Sequence, residues 1–398
     1  MSQPGGDLAA HVREHVDPDE VIEICRDLVR TPSENPPGDE REVAATSQRI
    51  LAGLGLEAEF VEPMPGRVST LSTWGEGSGR TLLFNGHYDV VPVPDPDAWP
   101  HPPYSGHVEG GKLFGRGSSD MKSGIASCLG AVAALKRAGF EPSGNLVMHF
   151  VADEEALGAH GTKFLVANGY CDGATESLVG EPTGMHLVTS ERGAVWLRIT
   201  TEGVSAHGSA PQLGVNAIDH MSRIVRELSS MRFKKLHEML GAPTVNVGTI
   251  HGGSKVNMVP ARCVIEVDRR TLPGESLEEV VGEIRHVIDK VKKDVPDLAA
   301  SVDVDDWAEA SETPEGTSLV GLLSDARDAL GIQGSEVGYA GATDARFLIN
   351  QAKIPSVIFG PGDLYQAHTT GEHVDTELLV QAARAYAFAF VRFLGTSD

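Results

Sequence analysis

Asn145-Leu-Val-Met-His-Phe-Val-Ala152 runs straight into Asp153-Glu154-Glu155. An almost unbroken apolar run of this length reads as a strand buried on both faces. Three acids directly after it are out of place beside a core unless they have partners. Strands of the same style recur at Thr81-Leu-Leu-Phe-Asn85, Glu176-Ser-Leu-Val-Gly180 and Ser356-Val-Ile-Phe359. Apolar residues at helical spacing fill Val21 to Val29, Glu42 to Leu54, Ser123 to Ala138 and Thr376 to Leu394. The proline- and glycine-rich stretch Thr31 to Gly38 reads as a loop. Strands alternating with helices predict an α/β domain with a mainly parallel central sheet.

Near Met185 the pattern changes. Ala194 to Thr200 and Arg262 to Asp268 alternate apolar and polar residues, as strands do when one sheet face is solvated. Val215 to Leu228 and Leu277 to Val291 have helical spacing. These segments predict an α+β unit, residues 187–297, inserted into a discontinuous α/β domain made of 1–186 and 298–398.

The chain has 398 residues, 41% hydrophobic and 22% charged, a globular composition. Its net charge of −23 argues against nucleic-acid binding, which needs a basic footprint. Cys25, Cys128, Cys171 and Cys263 are scattered without a CxxC pair, which suggests free thiols in a reducing compartment. The polar start lacks the apolar core of a signal peptide, and no apolar run reaches the ~18 residues of a membrane span. The expectation is a cytoplasmic protein with no membrane partner.

The chemistry-bearing residues lie after the strands, where open α/β sheets bind ligands. His87 and Asp89 stand two apart in Asn85-Gly-His-Tyr-Asp89, spaced for a metal-binding imidazole and a carboxylate that holds it. A buried, hydrogen-bonded histidine and a turn aspartate read equally well there. Asp120, in Gly115-Arg-Gly-Ser-Ser-Asp120-Met-Lys-Ser-Gly124, falls just before a helix and could be an N-cap. The glycines there could also cradle phosphate, but GxxxxGK[ST] is missing. Glu154 and Glu155 could divide the tasks of base and ligand, or belong to a solvated acidic loop. Glu181 follows a strand in Val179-Gly-Glu-Pro-Thr183, and His368 lies in Gly360 to His373. Together they supply imidazole and carboxylate donors without thiols, the set of a catalytic divalent-metal site.

GHYDVVP, GRGSSDMKSG, ADEE, GEPT and QAH, in this order, resemble the family that includes acetylornithine deacetylase, succinyl-diaminopimelate desuccinylase, aminoacylase and carboxypeptidase G. The resemblance runs from about Val21 to the C-terminus. It implies two Zn2+ per chain, replaceable by Co2+ or Mn2+. His87 and Glu181 would hold one ion and Glu155 and His368 the other, with Asp120 bridging. Asp89 would support His87, and Glu154 would be the general acid/base. The inserted unit would be a lid and dimerisation domain, making the protein a homodimer. There His207, in Gly203-Val-Ser-Ala-His207, would reach the neighbouring subunit's site and stabilise the oxyanion. Asn257 and Arg270 would grip the substrate carboxylate, with Arg269 competing for the role, and Thr343 would contact substrate.

The implied reaction is metal-dependent cleavage of an N-acyl-L-amino acid. A dipeptidase or carboxypeptidase G-like activity would share every metal residue, and a non-catalytic metal-binding protein is the reading from another class. Ser118, Ser123 and Gly371 depart from the resemblance and bear on the pocket wall. His101, His107, His149, His160, His186 and His251 read as surface or satisfied polar residues.

Overall fold

The computed structural model describes residues 4–395. They form two compact units. The first takes in the chain up to Thr189, Thr313–Val337, and everything from Thr343; the second is Ser190–Glu312 with Gly338–Ala342.

At the centre of the first unit, four strands run parallel: Asn145–Val151, Thr81–His87, Glu176–Val179 and Ser356–Ile358, side by side in that order. Arg67–Trp74 and Glu59–Met64 extend the sheet antiparallel beyond Asn145–Val151. All four parallel strands are almost wholly buried, as their apolar sequences require. Helices Pro18–Val29, Lys122–Arg137 and Thr376–Leu394 pack together beside them. Phe84 meets Phe150 and Tyr386 edge-on, with centroids 6.2 and 5.8 Å apart, tying helix to sheet. Lys122–Arg137 has no polar stripe because it is buried along nearly its whole length. A Cβ on its Gly124 would lie 2.0 Å from the Gly180 carbonyl oxygen, so only glycine lets the helix start press against that strand end.

Four helices of this unit escaped the sequence reading, Pro4–His15, Thr162–Ala167, Ser318–Leu330 and Ala345–Asn350. A small antiparallel sheet, His107–Glu109, Lys112–Phe114 and His373–Asp375, completes it.

The second unit is a four-stranded antiparallel sheet in the order Thr244–Gly252, Arg262–Thr271, Gly193–Glu202, Ala299–Ala308. Helices Ala217–Ser229 and Leu277–Asp294 cover it through Ile224, Leu228 and Ile284. Asn216 caps the first helix, and a Ser276–Glu279 capping box starts the second. The boundary expected at 297 moves to Glu312 because Ala299–Ala308 pairs along the length of Gly193–Glu202. Asp303, Asp305 and Asp306 interrupt the apolar alternation of that edge strand.

All four cysteines are buried free thiols. No helix among the described residues is long and apolar enough to cross a membrane.

His149 lies on the buried strand Asn145–Val151 and is 1% exposed. Burial pushes its imidazole down from 6.5 to about 3. The unfolded chain therefore binds this proton at a higher pH than the folded one. The stabilisation is complete above pH 6.5 and is lost as pH falls towards 3. His149→Leu should shrink the difference in unfolding free energy between pH 7 and pH 5 by about 2 kcal/mol. Urea midpoints at the two pH values test this; an unchanged difference would mean that the folded protein carries His149 charged.

Candidate metal centre

Three adjacent parallel strands deliver their ends to one place. Thr81–His87 ends on His87, Asn145–Val151 leads to Glu154 and Glu155, and Glu176–Val179 leads to Glu181. Asp153, at φ 69°, turns the chain sharply after its strand, a conformation aspartate tolerates better than most residues. Asp120 comes from the segment before Lys122–Arg137, and His368 from the loop after Ser356–Ile358.

Asp120 faces both histidines. Its Oδ1 lies 3.1 Å from His87 Nε2, and its Oδ2 lies 3.4 Å from His368 Nε2. Glu181 Oε1 is 3.7 Å from His87 Nε2, and Glu155 Oε2 is 3.1 Å from His368 Nε2. Two donor triads result, His87–Asp120–Glu181 and Asp120–Glu155–His368, each with donor atoms within 4.8 Å of one another. They share only Asp120. The N-cap reading of Asp120 fails, since the helix is preceded by Met121 and has no side-chain cap. The phosphate cradle fails too: Lys122 is fully buried, and its Nζ donates to the Thr31 carbonyl at 2.8 Å.

Glu154 belongs to neither triad. Its Oε2 is 3.9 Å from His87 Nε2, and its Oε1 is 3.8 Å from Arg346 Nη1. Asp89 is fully buried and does more than face His87. Its Oδ1 is 3.6 Å from His87 Nδ1, but the ring's hydrogen bond goes to the Asp89 backbone carbonyl at 2.9 Å. The Asp89 carboxylate accepts the N–H groups of Glu154 and Glu155, each at 3.1 Å, and so fixes the acidic turn.

Burial raises the pKa of Glu154 well above the ordinary value, and the charges of Asp344 and Glu155 push it the same way. Burial likewise raises Glu181, with the Asp120 charge adding to it. Burial opposes charge on His87, but the neighbouring Asp120 and Asp89 carboxylates outweigh it and raise its pKa. His368 is raised to about 10, chiefly by hydrogen bonds to Asp120 and Glu155. Asp120, Glu154, Glu155 and Glu181 thus crowd together with two imidazoles and one distant guanidinium. Buried carboxylates in such excess call for cations. Two divalent ions fit this donor set.

Several residues at the centre escaped the sequence reading. Glu372, 1% exposed, accepts the N–H groups of Ser119 and Asp120 at 2.9 and 3.1 Å and pairs with Arg116 at 2.7 Å. It thereby positions the Asp120 backbone; its place four residues after His368 was the available signal. Arg67 links Glu40, Asn35 and Asp153 behind the acidic turn. Arg346 donates to the Thr343 carbonyl at 2.6 Å, and the Thr343 hydroxyl accepts from the Ala345 N–H. Thr343, just before the helix Ala345–Asn350, is 2% exposed and does not stand open to solvent.

Glu372→Gln should weaken divalent-metal affinity by about 10–100-fold, the usual effect of removing a support behind a ligand. Titration against a competing chelator measures it. Unchanged affinity would leave Glu372 with a packing role alone.

His207, Asn257 and Arg270 belong to the second unit. His207 is exposed, its Nδ1 2.7 Å from Ser209 Oγ, and the Gly208 N–H donates to the Asn257 carbonyl at 2.8 Å. Strand alternation separates the two arginines. Arg269 points into the core, fully buried, and pairs with Glu275 and Glu283. Arg270 is on the other face, held by Asp268 at 2.9 Å.

The sequence matches peptidase family M20/M25/M40 over residues 83–391. The chain belongs to this family. It is accordingly a hydrolase of the metallopeptidase and amidohydrolase class. Among curated relatives, succinyl-diaminopimelate desuccinylase of Cereibacter sphaeroides is 32% identical, over 86% of this chain and 91% of its own. Acetylornithine deacetylase of Photorhabdus laumondii is 29% identical, over 90% of this chain and 93% of its own. A dinuclear metal binding peptidase from the M20 family of Bacillus subtilis shares the fold, with a TM-score of 0.73 at 18% identity, covering 96% of this M20 chain and 99% of its own. The sequence-level resemblance and the expected fold class both agree with these matches.

Proposed function

We propose that this M20 chain is a two-zinc amidohydrolase that releases an L-amino acid from its N-acyl group. The observation that carries the reading is the division of Asp120, one carboxylate oxygen towards His87 and the other towards His368. That arrangement suits a bridging ligand, with His87 and Glu181 on one ion and Glu155 and His368 on the other. The deacylase names of the relatives support the substrate class. Zinc suits imidazole and carboxylate donors without thiolate, and Co2+ or Mn2+ would fit the same set.

When bound, the two ions polarise the scissile carbonyl and make the attacking water more acidic. Glu154 takes that water's proton and later delivers it to the leaving amine, a task for which its place outside both donor triads leaves it free. Asp89 keeps His87 oriented and the acidic turn in place. Asn257 and Arg270 bind the substrate carboxylate, for which Arg270 exchanges its hold on Asp268. Thr343 supports the pocket wall. His207 donates to the developing oxyanion, within a cytoplasmic homodimer whose second unit acts as lid and dimer surface.

A panel of N-acetyl, N-succinyl and dipeptide substrates, with zinc or cobalt restored, tests the reading. Turnover of N-acyl amino acids above dipeptides is expected; the reverse order would make the enzyme a dipeptidase. For the dimer, a His207→Ala chain mixed with a Glu154→Ala chain should regain activity under conditions of subunit exchange. No recovery despite proven exchange would confine His207 to its own chain.

A further inference from the structure

Outside the metal centre, three side chains beside the small antiparallel sheet form a second donor set. His107 and Glu109 stand two apart on the strand His107–Glu109, so both leave the same face. The turn that follows, Gly110-Gly111, has φ of 59° and 77°, values that glycine adopts without strain, and it holds Glu109 in register with Lys112. His101 comes from the preceding loop. Its ring stacks on His107, centroids 4.1 Å apart, and meets Phe114 at 4.8 Å.

Glu109 Oε2 lies 3.4 Å from His101 Nε2 and 4.0 Å from His107 Nε2. The three donor atoms all fall within 4.8 Å of one another. Ligands at about 2.0–2.2 Å from a tetrahedral ion stand about 3.3–3.6 Å apart. Of the three pairs, His101–Glu109 already has this spacing. His107–Glu109 needs a shift of about half an ångström, which the exposed Glu109 side chain makes by rotating about its own bonds, and the two imidazole donors start within 4.8 Å of each other.

We propose that His101, His107 and Glu109 form a further, exchangeable site for a borderline divalent ion such as zinc, nickel or copper(II). Two imidazoles and one carboxylate select these over magnesium and calcium, which prefer all-oxygen shells. The side chains are 25, 45 and 69% exposed, so water completes the coordination and the ion exchanges with solvent. An ion there ties the loop carrying His101 to the hairpin. The alternative for the same three groups is a surface ion pair, worth little and needing a protonated ring.

The test uses the enzyme with its centre already loaded. Equilibrium dialysis against Zn2+, and separately against Ni2+, should show the wild type binding one more ion per chain than His107→Ala or Glu109→Gln. Hydrolysis should be the same in all three. With Cu2+ as probe, the electron paramagnetic resonance spectrum should show a copper signal coupled to two imidazole nitrogens in the wild type that His107→Ala loses. Circular dichroism confirms that the variants fold. Equal stoichiometry in wild type and variants would overturn the proposal, as would a copper signal that His107→Ala leaves unchanged. Because the readout is a difference between proteins sharing one centre, it stands apart from the two-zinc reading.

Discussion

Glu154→Gln should keep both ions and lose hydrolysis by about 10²–10⁴-fold, the range that general acid–base help supplies. Glutamine preserves the shape of the side chain, so the change opens no cavity. It removes the carboxylate that can accept a proton from water and return it to an amine. Glu154 stands outside both donor triads, so metal content should remain at the wild-type value. Glu155→Gln should do the opposite first: it weakens one ion, because Glu155 sits 3.1 Å from His368. Metal analysis and kcat on the same preparations separate the two. If Glu155→Gln kept its metal and Glu154→Gln lost it, the roles of base and ligand would be exchanged.

Asp120→Ala should abolish activity by releasing both ions together. Each of the other donors serves one triad, whereas Asp120 belongs to both. Metal at about 100 times its dissociation constant stabilises a fold by about 2.7 kcal/mol. Chelator should therefore lower the melting temperature of the wild type and leave that of Asp120→Ala where it was. The metal-free variant need not be less stable than the metal-free wild type. Asp120 charge pushes on Glu155 and Glu181, and its removal relieves both. A variant that still binds one ion tightly would show that Asp120 belongs to a single site.

The centre was legible through the order of its motifs rather than any one of them: His87, Glu154, Glu155 and Glu181 end or follow strands, but a solvated loop or a buried histidine explained each alone, and their division into two ligand sets came from the family resemblance. The spacing of His87 and Asp89 suggested a supported imidazole; the structure adds that Asp89 chiefly pins the turn of Glu154 and Glu155. Glu372 was harder to read, since its partners are backbone N–H groups about 250 residues away in sequence. Arg269 and Arg270 stood as competitors in the sequence, and the two-residue period accounts for which of them is buried. Cys263, Ile265 and Val267 point inward, so Arg269 does as well. The strand Thr244–Gly252 lies at a sheet edge with a register break after Val247, which blurs its alternation. His101 and His107 read as ordinary surface residues because their meeting depends on a loop and a hairpin turn.

The four buried thiols divide between the units, Cys25, Cys128 and Cys171 in the first and Cys263 in the second. Burial pushes Cys25 and Cys171 up to about 12, and raises Cys128 and Cys263 as well. Shielded and protonated, they are closed to alkylating reagents while the fold is shut. Each cysteine thus becomes a timestamp for the opening of its own surroundings. The order in which Cys263 and the other three acquire label under mild denaturant tells which half of the molecule loosens first.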